Sequence, residues 1–77
     1  MAIRVRYFAS LREEMGRAED QLESEHVATV EDVWVSVAGG VALPVNTLMA
    51  VNMEYADRAQ QVKDGDEVAF FPPVTGG

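Results

Sequence analysis

Few residues of this chain have the types and spacing for chemistry, and most of those have a plainer use. The lone histidine, His26, is a candidate general base, but it stands in an acidic stretch with no cysteine and no serine elbow beside it. It reads as a solvated histidine at a strand end. Glu13 with Glu14, and Glu31 with Asp32, have the makings of carboxylate pairs for acid–base work. Their places at two helix starts, where carboxylates meet the positive end of the helix dipole, account for them better. Asp64, Asp66 and Glu67 around Gly65 hint at a cation loop, yet the alternating acidic spacing that calcium coordination requires is missing. A tight turn explains them, and no metal site is expected. Trp34 falls at helical spacing among valines and is expected in the core rather than as a stacking platform for a ligand. No catalytic constellation emerges.

What remains is the end of the sequence. Val74, Thr75, Gly76 and Gly77 follow Phe70, Phe71, Pro72 and Pro73, and no charged side chain comes after Glu67. Glycine is common in frayed termini. A frayed end, however, needs neither an aromatic base nor freedom from charge, whereas a tail that threads a narrow channel needs both. A terminal carboxylate, with a pKa of about 3.5, is ionised and a poor electrophile at neutral pH. Adenylation by ATP on a separate enzyme would give it a leaving group. Sulfide would then displace AMP to leave a thiocarboxylate on Gly77, or a persulfide would displace it to leave an acyl disulfide that a thiol reduces to the same thiocarboxylate. The chain has no cysteine, so any sulfur chemistry must use that carboxylate rather than a thiol.

The rest of the chain has to hold this tail. Its 77 residues and 8.4 kDa fit a single domain, residues 1 to 77, with 72 to 77 as an extended tail, and exclude a multidomain enzyme. A net charge of −7 and a pI near 4.4 set it against a phosphate backbone, so no nucleic-acid partner is expected. The same charge suggests a basic docking surface on its partners. At 48% hydrophobic and 25% charged the chain should fold, with a margin of about a few kcal/mol. No run approaches the roughly 18 apolar residues of a membrane span, and the first residues lack a secretory core. No membrane association and a cytoplasmic location are expected.

Ile3, Val5 and Tyr7 alternate with Arg4, Arg6 and Phe8, which predicts a first strand with one apolar and one largely basic face. Ser10 with Glu13 resembles a capping box, and Gly16 a left-handed stop, giving a short helix over residues 11 to 15. The acidic stretch from 18 to 27 is expected to pair with the first strand. Thr29 and Asp32 mark a helix start, and Val30, Val33, Trp34 and Val37 form a stripe at i, i+3, i+4 and i+7. The valines also fit a strand; the spacing favours the helix, ended by Gly39 and Gly40. A loop to Thr47, a buried strand over 48 to 53, a turn or short strand over 52 to 57, and a last strand over 67 to 71 complete the order. The prolines end that strand. The result is an α+β domain, a mixed sheet with a helix across one face, which suits a β-grasp, ubiquitin-like fold.

VRYFASLRE at residues 5 to 13 with Gly16, AVN at 50 to 52, and above all DGDEVAFFPPVTGG from 64 to 77 resemble the small subunit of molybdopterin synthase, a ubiquitin-like sulfur carrier. The resemblance spans roughly the whole chain, and its C-terminal piece is the specific one. It implies activation at Gly77 by a ubiquitin-activating-type adenylyltransferase that uses ATP, with no cofactor bound by the chain itself, and sulfuration by a sulfur donor protein. It implies that the tail enters the large subunit of molybdopterin synthase, where sulfur passes to cyclic pyranopterin monophosphate during molybdenum cofactor biosynthesis. Gly76 would be the slender neighbour of the sulfur-bearing Gly77, Val74 and Thr75 would lie in the channel, and Phe70, Phe71 and Pro72 would dock near its mouth, with Pro73 also part of the partner-binding tail. The large subunit would hold the active site of a heterotetramer, so this chain would act as a recharged co-substrate rather than a catalyst. A related carrier for thiamine, cysteine or tungsten cofactor synthesis, a protein modifier conjugated through Gly77, and a plain binding module are the competing expectations.

Overall fold

A computed structural model describes residues 2–73. Alternation decides the first strand: in β1 (Ala2–Tyr7), Ile3, Val5 and Tyr7 are buried and Arg4 and Arg6 exposed. The chain turns straight into α1 (Ala9–Met15), because the Phe8 carbonyl accepts from the amides of Leu11 and Arg12 while its own N–H is still bound to Phe70. The helix therefore begins before Ser10, which makes no cap, a correction to the expected capping box. Gly16, at φ 73°, closes α1 as expected.

β2 (Glu19–Glu23) pairs antiparallel with β1, and a single 3₁₀ turn, Ser24–His26, follows it. The expected strand over 18 to 27 is thus shorter. Glu23 lies opposite Ala2, the first described residue of β1. His26 is exposed at the end of that turn rather than at a strand end.

The valine stripe resolves as a helix, α2 (Val30–Ala38). Thr29 Oγ1 accepts from Asp32 N–H at 3.2 Å, and Asp32 Oδ2 accepts from the amides of Thr29 at 3.1 Å and Ala28 at 3.0 Å. Those backbone donors hold the Asp32 carboxyl below its usual pKa. Val30, Val33 and Trp34 are buried while Val35 faces out, so helical periodicity overrides the strand preference of the valines. Trp34 is in the core as expected, and its indole N–H donates to the Val41 carbonyl at 2.9 Å.

β3 (Leu48–Val51) and β4 (Glu54–Ala56) form a hairpin around Asn52 and Met53, so β3 stops two residues short of the expected strand. β5 (Glu67–Phe71) runs between β1 and β3. The sheet order is β2-β1-β5-β3-β4, parallel only where β1 meets β5. This is the mixed, ubiquitin-like β-grasp sheet that the sequence suggested. One face carries the core of Ile3, Val5, Tyr7, Val68 and Phe70 under Val30, Val33 and Trp34 of α2. Tyr7 OH donates to Asp20 at 2.8 Å. Arg17 Nε donates to the same carboxylate, and its other nitrogens reach the carbonyls of Met15 and Val37. Burial first, and Asp20 second, push the Tyr7 hydroxyl well above the ordinary tyrosine pKa. Among the described residues no helix is long and apolar enough to cross a membrane.

Candidate functional site

β5 delivers the chain to its C-terminal segment, and both of its ends are fixed. At the start, Asp66 is 6% exposed although charged, and its oxygens are occupied. One accepts from Asn52 Nδ2 at 3.0 Å and the other from Lys63 N–H at 2.9 Å. Asn52 also accepts from Glu67 N–H at 3.0 Å and donates its own amide to the Glu67 carbonyl at 2.8 Å. With Gly65 at φ 88°, the acidic cluster is the tight turn expected of it, and Asp66 is its keystone.

At the far end the strand period splits two neighbouring aromatics. Phe70 turns inward, stacked on Tyr7 at 6.4 Å and edge-on to Trp34 at 5.1 Å between ring centroids. Phe71 turns to the other face and stacks on Phe8 at 5.1 Å. Phe70 is wholly buried and therefore offers no atom to a partner. This corrects its expected place at a channel mouth: it anchors the root of the tail from beneath. Phe71 and Pro72 are half-buried and Pro73 is exposed. The remaining expected site residues, Val74, Thr75, Gly76 and Gly77, lie outside the described residues.

The face of the sheet away from α2 holds a feature the sequence reading passed over. Ala50 and Ala69, 5% and 8% exposed, pave a depression of about 320 Å³. Phe8, Phe71, Met53 and Tyr55 rim it, and Arg6 and Glu67 border it. Met53 and Tyr55 are 91% and 80% exposed. The Arg6 guanidinium lies over the Phe8 ring, 5.2 Å from its centroid. One signal was present in the sequence: Phe8 falls on the otherwise basic face of β1. An aromatic on that face lies away from the core and is only partly buried in the free chain.

A half-open mixed sheet with one helix across its back, and a central strand that runs out into the C-terminal segment, defines a ubiquitin-like protein. The ThiS family model matches residues 5–77, and the chain belongs to that family. It is 39% identical to the molybdopterin synthase sulfur carrier subunit of Haemophilus influenzae, over 97% of this chain and 99% of that one. It is 36% identical to the Escherichia coli protein of the same name, over the same shares. Among solved structures, SAMP1 from Haloferax volcanii superposes with a TM-score of 0.83 at 27% identity, covering 100% of both chains. SAMP1 abbreviates small archaeal modifier protein 1. The family resemblance read in the sequence and the fold expected from it are thus both met.

Proposed function

We propose that this chain is the sulfur carrier subunit of a molybdopterin synthase, with Gly77 as the sulfur-bearing residue. Its near full-length likeness to sulfur carrier subunits carries this reading. The Gly77 carboxylate attacks the α-phosphorus of ATP on a ubiquitin-activating-type adenylyltransferase, and pyrophosphate leaves. A sulfide equivalent from a sulfur donor protein then adds to the acyl carbon, and AMP departs with the C–O bonding pair. The thiocarboxylate sulfur bonds to a carbon of cyclic pyranopterin monophosphate in the large subunit as an oxygen substituent leaves that carbon. Water then cleaves the acyl–sulfur bond, so that the sulfur stays on the pterin and Gly77 returns as a carboxylate for recharging. A chain without cysteine has no side-chain thiol to compete for the sulfur. The large subunit takes the tail and rests on the apolar depression, whose wall at Phe71 adjoins Pro72. The carrier works in the cytoplasm, where ATP and its partners are found.

Intact-mass analysis after incubation with ATP, the activating enzyme and a sulfur donor tests this. Exchange of one oxygen for sulfur, located at Gly77 by fragmentation, is expected, and a chain lacking Gly77 should acquire nothing. Sulfur acceptance by the truncated chain would sink the reading. The likeness to a small archaeal modifier protein favours a second reading, conjugation of Gly77 to target lysines. That reading requires a ladder of covalent adducts when activated chain meets other proteins.

A further inference from the structure

Asn52 and Met53 form the two-residue turn between β3 and β4, and both hold positive φ, 51° and 71°. Such a turn asks for asparagine at its first position and glycine at its second, because an L side chain in that conformation crowds its own backbone. Asn52 suits its place and uses its side chain on Asp66 and Glu67. Met53 does neither. It is 91% exposed and is not among the residues packed on the core. Backbone strain disfavours the free folded chain, the apolar side chain gains no burial there to offset it, and both fall at one residue on the rim of the depression. An unbranched, polarisable thioether is well suited to closing over a shape it does not match in advance.

We propose that Met53 is a partner-reading residue, whose side chain closes over an apolar side chain that the large synthase subunit seats on the Ala50 and Ala69 floor. This rests on the docking proposed above. The occupant is aliphatic or aromatic, because the floor presents only methyl groups and the rim is mainly aromatic. Phe71 belongs both to that rim and to the root of the tail, so a partner holding the tail is already within reach.

Binding of the parent chain, Met53→Gly and Met53→Leu to the purified large subunit is measured by calorimetry, beside the thermal midpoint of each free chain. Relief of strain in Met53→Gly, partly offset by the freedom glycine adds to the unfolded chain, should raise the midpoint by about 2–6 °C. The same change should weaken binding about tenfold. Met53→Leu, with similar volume, should bind within about threefold of the parent. Dilute peroxide should convert Met53 to its sulfoxide in the free chain and leave it intact in the complex. A parent that binds beside a glycine variant of equal affinity, or a Met53 oxidised equally in the complex, overturns this inference alone. A parent that does not bind overturns the docking reading and this inference with it.

Discussion

Tyr7 with Phe8, and Phe70 with Phe71, are neighbours in sequence that the two-residue strand period sends to opposite faces of one sheet. The inward pair is covered by α2 and is almost inaccessible, at 2% and 0% exposure. The outward pair is also stacked, but it is only partly buried, with the Arg6 guanidinium over the Phe8 ring. The same residue chemistry thus does two jobs, and the difference lies in what covers it. Burial on the helix side is completed when the chain folds. Burial on the other side is incomplete in the free chain, and in the docking proposed above the large subunit completes it.

The sharpest way to break this comparison is to truncate one member of each pair. Phe70→Ala should cost about 3–5 kcal/mol of folding stability, most of what a domain of this size has, and urea unfolding will show it as a large fall in midpoint or outright loss of the transition. Phe71→Ala should cost about 1–2 kcal/mol of stability, because the ring is only partly buried, yet weaken large-subunit binding by about tenfold or more. Equal stability losses would erase the distinction between the faces. Between these extremes, a double-mutant cycle on Phe8 and Phe71 should give a coupling of about 0.5–1.5 kcal/mol in the free chain. A coupling near zero would mean that the outward stack does not hold the tail root.

Much of this was legible in the sequence, and the exceptions share a cause. Period-two alternation gave β1, the i, i+3, i+4 stripe gave α2 against the strand preference of its valines, and the Thr29 and Asp32 cap is present in both side-chain and backbone bonds. What escaped depends on partners distant in sequence. β2 is defined by its pairing with β1, from Glu19 opposite Arg6 to Glu23 opposite Ala2. Ser10 is bypassed because the Phe8 amide is claimed by Phe70. For the site, FFPPVTGG announced itself, but which of Phe70 and Phe71 faces outward depends on register against β1 and β3. The depression takes its floor from β3 and β5 and its rim from β1, β4 and a turn, so no local pattern displays it.

A last substitution separates the faces more finely. Tyr7→Phe keeps the inward ring and removes only the hydroxyl that donates to Asp20. It should cost about 1–2 kcal/mol at neutral pH, the worth of a hydrogen bond to a charged acceptor. Large-subunit affinity should not change, because Tyr7 does not line the depression. The pH dependence has a definite sign. Burial and Asp20 raise the folded pKa of Tyr7, while the unfolded chain releases that proton near pH 10. The stability it contributes is therefore complete below about pH 10 and declines above it, by about 1.4 kcal/mol per pH unit, until the folded group itself ionises. The phenylalanine variant lacks this loss, so the gap between parent and variant should close as pH rises from 9 to 11 in urea unfolding. A gap that stays constant across that range would mean that the Tyr7 proton is not held by the fold.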